Sequence, residues 1–161
     1  MEKRLSRWGV GPKITAPSCA CLLAAWAATR QWPGIFRLNW QPRAVEIAGA
    51  VLIAAGFVLW LSGAVTVMRA YNRDRLITSG VFSLVRHPVY AGGITLFLPG
   101  LALLLGSWLM LLAPLLAYAI FKRLIHVEDG YLERRFGQAY VDYRARVNEL
   151  IPIPRFGRGK E

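Results

Sequence analysis

The chain has 161 residues, 55% of them hydrophobic, with a mean hydropathy of +0.38 and a formal net charge of +11. One domain is expected over residues 1–161 at this length, and the apolar share exceeds the ~45–50% of ordinary soluble domains, which argues against a soluble globular protein. Basic residues cluster outside the apolar blocks, where the positive-inside rule and anionic headgroups account for them, so no nucleic-acid partner is expected.

A spanning helix needs ~20 mostly apolar residues. The first such segment runs roughly from Ile14 to Trp32, with Pro17 near its start and Arg30 near its end. Lys3, Arg4, Arg7 and Lys13 precede it, as in a signal peptide. Further apolar segments follow, so it reads as an uncleaved first helix, with the mature chain starting near Met1. Cys19 and Cys21 lie inside it and read as small apolar residues; with only two histidines in the chain, no metal site is expected.

The second segment is roughly Ala44 to Met68, with Glu46 near its start. The third runs from about Val89 to Leu105 and the fourth from about Trp108 to Ile125. Only Gly106-Ser107 joins them, which forces an antiparallel hairpin. From His87 to Phe121 there is no Asp, Glu, Lys or Arg. Pro99 and Pro114 fall mid-arm, where each removes a helix hydrogen bond and is expected to kink its helix. Gly92, Gly93 and Gly100 allow close approach of a neighbouring helix or ligand, and for Gly100 helix packing is the reading.

In the tail, Glu128, Leu132, Phe136, Tyr140, Tyr143 and Val147 share one helical face, with Arg134, Arg135, Asp142, Arg144 and Arg146 on the other. Gly137 marks a break, and Ile151-Pro152-Ile153-Pro154 ends the pattern. The expected fold is therefore all-α: an integral membrane bundle of about four transmembrane helices with a C-terminal amphipathic cytoplasmic helix, lying on the membrane or folding over the bundle. Arg69, Arg73, Arg75 and Arg86 in the middle loop, the basic N-terminus and the basic tail outweigh Arg30, Arg37 and Arg43. A multi-pass protein with both termini cytoplasmic follows, in the inner membrane if the source is bacterial.

The hairpin brings two sets of polar groups to one end: Arg86, His87 and Tyr90 on one arm, and Lys122, Arg123, His126 and Glu128 on the other. His87 precedes Pro88, so its backbone is biased toward an extended form at the mouth of the third helix. Taken singly, Arg86 and Tyr90 read equally well as interfacial anchors, and Glu128 and Asp129 as solvated carboxylates. Together they outline a site between water and bilayer.

Arg86-His87-Pro88-Val89-Tyr90-Ala91-Gly92, the hydrophobic hairpin, Glu128-Asp129-Gly130-Tyr131-Leu132, Phe136-Gly137, Tyr140, Tyr143 and Ile151-Pro152 form a spaced pattern over about residues 73–152. It resembles the isoprenylcysteine carboxyl methyltransferase and phospholipid methyltransferase family. The resemblance implies an integral membrane methyltransferase that uses S-adenosylmethionine without a Rossmann domain. It implies a cofactor pocket lined by Leu76, Ile77, Phe82, His87, Pro88, Val89 and Tyr90, with Glu128 meeting the cofactor's amino group. Where relatives have Glu-Glu, this chain has Glu128-Asp129, which leaves Asp129 without an assigned role. Arg123 is the expected substrate-side and catalytic cation beside Glu128, with Lys122 and His126 as substrate-binding alternatives.

The expected substrate is an amphipathic or lipid-like small molecule met among membrane lipids. Carboxyl O-methylation of a prenylcysteine-type substrate stands first, and a phospholipid amine or small thiol second. A carboxylate nucleophile needs no base but needs a cation to hold it, whereas an amine or thiol must lose a proton, to His87 or Glu128. An NADPH-dependent sterol-type reductase and a non-catalytic membrane scaffold are the other two classes left open. Oligomeric state is not legible.

Overall fold

A computed structural model of the chain describes residues 9–38, 42–70 and 75–153. Lys3, Arg4, Arg7, Arg73 and Pro154, used above for orientation and for the terminal motif, lie outside these residues. Among the described residues the protein is all-helical, without a strand; one isolated bridge joins Arg37 and Ser107.

Helix α1 covers Gly11–Gln31 and is followed by a single turn, α2, at Pro33–Phe36. Helix α3, Arg43–Ala70, buries only its glycines Gly49, Gly56 and Gly63 and exposes Ile47, Val51, Phe57, Val58, Leu61 and Met68. A helix that is apolar all round requires an apolar solvent. A short turn, α4, at Val81–Leu84 precedes the third long helix. That helix is continuous from Pro88 to Leu104 but not uniform: α5 at Pro88–Ala91, a π-helical stretch at Gly92–Phe97, and α6 at Leu98–Leu104. The fourth opens as a 3₁₀ turn at Trp108–Leu111 and continues as α7, Leu112–Phe136, after which Gly137 turns the chain into α8, Gln138–Arg146. Two helices, Arg43–Ala70 and Trp108–Phe136, are long and apolar enough to cross a membrane, and Pro88–Leu104 is a shorter apolar helix.

One expectation about proline is corrected. Pro99 lacks the N–H for a helix bond, and its ring would press on the carbonyl four residues back. The helix departs from α geometry just before it: Leu98 N–H reaches back five residues to Gly93 O in a wide turn. Pro114 falls in the first turn of α7, just after the 3₁₀ turn, where its missing N–H costs little, so it starts the helix rather than interrupting its middle. A second correction concerns length. Glu128 to Phe136 continue α7 instead of opening a separate tail helix; only α8 is separate, and it folds over the bundle through buried Tyr140 and Tyr143.

Helix α3 packs along the third helix, and α1 packs along α7. The third helix meets α7 through Ala91, Ile94 and Leu98 against Ala117, Phe121 and Ile125. Between α3 and the third helix the contact is backbone on backbone. A Cβ at Gly56 would lie 2.7 Å from Gly92 O, and one at Gly49 would lie 2.8 Å from Gly100 O. The far end of the bundle is closed by the tight turn at Gly106, whose φ of +62° suits glycine. Leu38 N–H donates to Gly106 O at 2.8 Å, and the Thr29 and Ser107 hydroxyls meet at 2.7 Å.

Gly56→Ala is expected to push α3 off its partner and destabilise the protein by about 1–3 kcal/mol, the usual cost of overpacking. Gly34→Ala, where an added Cβ meets nothing within 4 Å, is expected to leave the melting midpoint in detergent micelles unchanged or slightly raised. Equal behaviour of the two variants would show that the α3 seam is not tight.

Candidate active site

The site grows from a pre-proline position. His87, before Pro88, has φ −126° and ψ 67°, so its own and its neighbour's N–H groups point away from α5. They are satisfied by the tail: Arg86 N–H donates to Asn148 O at 2.7 Å and His87 N–H to Glu149 O at 3.1 Å. Gly137, at φ +55°, allows the reversal between α7 and α8 that brings this tail back.

Arg86 and His87 are both buried, and both face Asp129 on α7. Arg86 Nη1 lies 3.1 Å from Asp129 Oδ2, and His87 Nε2 lies 3.1 Å from Oδ1. Tyr140 donates its hydroxyl to the same Oδ1. Arg86 Nη2 reaches Glu149 Oε1 at 3.3 Å, and Lys122 Nζ holds the other Glu149 oxygen at 2.7 Å. Burial, together with the hydrogen bond and charge of Asp129, pushes the Tyr140 phenol well above its ordinary range. Tyr143 donates to Phe82 O at 2.6 Å, and burial pushes its phenol up to about 12. Both tyrosines are therefore protonated donors at neutral pH.

One residue earlier on α7, Glu128 faces a different set of partners. Its Oε1 accepts the Tyr90 hydroxyl at 2.7 Å and the Val10 N–H, at the start of α1, at 2.6 Å. Its Oε2 faces His87 Nδ1 at 3.9 Å, too far for a hydrogen bond. With Nε2 engaged by Asp129, Nδ1 is the ring nitrogen turned toward Glu128. Phe121, fully buried, lies edge-on to His87 at 5.7 Å and beside Tyr90 at 5.4 Å, forming a dry floor.

A cavity of about 930 Å³ opens beside His87, Tyr90 and Glu128. Its polar end is lined by Leu76, Ile77, Phe82, Arg86, His87, Pro88, Val89, Tyr90 and Glu128. It continues as an apolar groove between α1 and α3, which barely touch each other, past Ile14, Leu22, Phe57, Trp60, Ile94 and Leu98. The sequence-derived cofactor set is thus gathered around one space. Lys122, Arg123 and His126 are not: all three are exposed on α7, away from the cavity lining. The arginines that do line it are Arg75, Arg86 and Arg135, the last donating to Tyr131 Oη at 2.7 Å. Sequence reading also missed the roles of Asp129, Tyr140, Glu149 and Val10. Two signals pointed toward this set: the adjacency of Asp129 to Glu128, and the place of Tyr140 on the helical face of Glu128.

Asp129→Ala would leave Arg86 with Glu149 as its remaining counter-charge and take the acceptor from His87 and Tyr140. A loss of about 3–5 kcal/mol is expected, as for other broken buried ion pairs, read as a lower unfolding midpoint in detergent. Glu133→Ala, which breaks an exposed pair with Arg144, should cost about 1 kcal/mol or less. Shifts of equal size would deny Asp129 its central place.

A sequence profile described as phospholipid methyltransferase matches residues 44–139. The protein-S-isoprenylcysteine O-methyltransferase of Schizosaccharomyces pombe is 37% identical over 84 residues, which cover 51% of this chain and 35% of the relative. Protein-S-isoprenylcysteine O-methyltransferase B of Arabidopsis thaliana is 28% identical over 138 residues, covering 76% and 64%. The phosphatidylethanolamine N-methyltransferase of S. pombe is 41% identical over 66 residues, covering 40% and 7%. The chain spans about a third to two thirds of the length of the first two relatives. With the profile covering more than half of its residues, the chain belongs to the phospholipid methyltransferase family.

Proposed function

We propose that the protein is an integral membrane methyltransferase that takes its methyl group from S-adenosylmethionine and acts on a lipid-like substrate, with carboxyl O-methylation of a prenylcysteine-type substrate first. The observation that carries this reading is the continuity of the cavity: a carboxylate-bearing polar end opens directly into an apolar groove between α1 and α3. The residues present fit the cofactor. Glu128 Oε2 has no hydrogen bond from His87 and suits an ammonium group, while Leu76, Ile77 and Phe82 offer apolar faces to an adenine ring.

The bound cofactor supplies a methyl group already activated by its sulfonium sulfur. The protein's share is positioning and exclusion of water. Tyr90 holds Glu128, Asp129 holds His87, and Phe121 backs the His87 and Tyr90 rings with apolar surface. The groove seats an apolar tail and delivers its head to the polar end. A carboxylate head needs a cation and no base. Arg75 and Arg135, on the cavity wall, serve that role better than Arg123, Lys122 or His126. A phospholipid amine is the second reading, favoured by the family profile and the phosphatidylethanolamine N-methyltransferase relative; there His87 Nδ1 would accept the proton.

The assay is transfer of labelled methyl from S-adenosylmethionine to a farnesylated N-acetylcysteine or to phosphatidylethanolamine in detergent. Label on the first, released by mild base as methanol, is expected; base-stable label on the second would select the amine reading. No transfer, with NADPH binding instead, would favour a reductase, and binding of neither a scaffold. Arg135→Ala is expected to cut transfer by about 10²-fold, equivalent to ~2.7 kcal/mol of transition-state stabilisation. Arg123→Ala should cut it far less, and the reverse order would return the substrate role to Arg123.

We also infer four spanning helices with both termini cytoplasmic. The start of α1, the middle segment and the tail meet at Glu128 and Arg86, while the α2 turn and Gly106 meet at the other end. That arrangement fits four crossings, and the basic residues choose the side. A reporter fused to the C-terminus should read cytoplasmic; an exterior signal would invert the topology.

A further inference from the structure

The start of α1 has a contact that its own helix does not require. Val10 is the residue before the first helical turn, and its side chain is buried with Ile14, Val85, Phe121, Ile125 and Leu150. That anchor fixes where its N–H points, and it points at Glu128 Oε1, 2.6 Å away and 118 residues distant in sequence. Before it, Gly9 has φ +51°, and a Cβ there would lie 1.8 Å from the same oxygen. No side chain fits between this turn and the carboxylate. The Tyr90 hydroxyl takes the other side of Oε1. Both donors therefore fall on one oxygen, while Oε2 faces His87 Nδ1 at 3.9 Å without a hydrogen bond. A carboxylate held by two donors on one oxygen cannot rotate, and the second oxygen keeps its lone pairs in a fixed direction.

We propose that the Gly9–Val10 turn is a positioning element of the cofactor site: with Tyr90 it pins Oε1 of Glu128 so that Oε2 is aimed at the ammonium group of the bound cofactor. This rests on the function proposed above, which gives Glu128 that ammonium. Glycine is required at position 9 both by backbone sign and by space, and Val10 contributes its main chain to the site and its side chain to the core. The turn itself touches no reacting atom and works through Glu128.

The test separates ligands that carry the ammonium group from those that do not. S-adenosylhomocysteine has it; 5′-methylthioadenosine has the adenosine and thioether but lacks the whole amino-acid portion. Dissociation constants of both are measured by calorimetry on the purified full chain in detergent. Gly9→Ala should weaken S-adenosylhomocysteine about 10-fold or more, the size of a misplaced charge-assisted hydrogen bond, and 5′-methylthioadenosine by no more than about 2-fold. Val10→Pro removes the N–H and sets its ring against Oε1, so it also displaces the carboxylate and should do the same. Val10→Ala trims the core contact but keeps the N–H, and should hold the ratio of the two affinities at its wild-type value. If Gly9→Ala does not fold, the two Val10 variants decide. Equal weakening of both ligands in Gly9→Ala and Val10→Pro, or no weakening, overturns the inference. Glu128→Gln tells the two levels apart. An unchanged ratio there overturns the cofactor assignment and the inference with it. A ratio that shifts in Glu128→Gln but not in the turn variants overturns the inference alone.

Discussion

Asp129 is a single carboxylate on which three segments of the chain depend. It sits buried on α7 and accepts from Arg86 and His87, which come from the entry to the third helix, and from Tyr140 on α8. Charged groups removed from water are costly unless paired and hydrogen-bonded. Here each one is held by the others, so the arrangement is tolerated only as a set. Without it, the extended backbone at Arg86-His87 would have no reason to stay against α7, and the tail that caps its N–H groups would have nothing to cap. Glu149 and Lys122 continue the alternation of charge outward to the surface.

The two carboxylates of the Glu128-Asp129 pair divide their work through the geometry of α7. Adjacent residues on a helix point about 100° apart, so they face different neighbours. Asp129 turns into the protein and binds structure together; Glu128 turns toward the cavity. A shorter side chain at 129 fits the buried side, where Arg86 and Tyr140 already crowd. The same helix explains why the cavity can join a polar end to an apolar groove. Ala117, on its inward face below the carboxylates, lines the groove, and Phe121 and Ile125 pack in the core beside it.

Much of this was legible in the sequence because it depended on long-period signals. The apolar blocks, the two-residue link and the charge-free run from His87 to Phe121 led to the helices that are seen, and the Arg-His-Pro motif led to the residues that line the cavity. What escaped depended on facing rather than spacing. Arg123 and Glu128 lie five residues apart, well over a turn, and nothing in composition says which of them points inward. Asp129 was invisible as a hub because its partners sit 42, 43 and 11 residues away in sequence and meet only after the tail folds back. Pro114 and Pro99 were read by residue type, whereas their effect was decided by the local helix class around each. Val10 acts through its main chain, and no side-chain pattern records that.

The glycine seam also carries a count. On α3, the two glycines that meet the backbone of the third helix, Gly49 and Gly56, are seven residues apart; their opposite numbers, Gly100 and Gly92, are eight apart. Two helices of the same pitch cannot match seven against eight. The difference of one residue is taken up by the π-helical stretch at Gly92–Phe97, which lies between the two contacts. The wide turn thus acts as a vernier between two backbones that have no side chains with which to adjust. One residue removed from that stretch would leave seven residues between the two contacts in an even helix, about two turns, and keep Gly100 facing Gly49. An extra residue within Gly49–Gly56, on an even helix, would instead turn one of those glycines about 100° away from the seam. The seam therefore tolerates the loss of a residue from the wide turn better than the gain of one on α3.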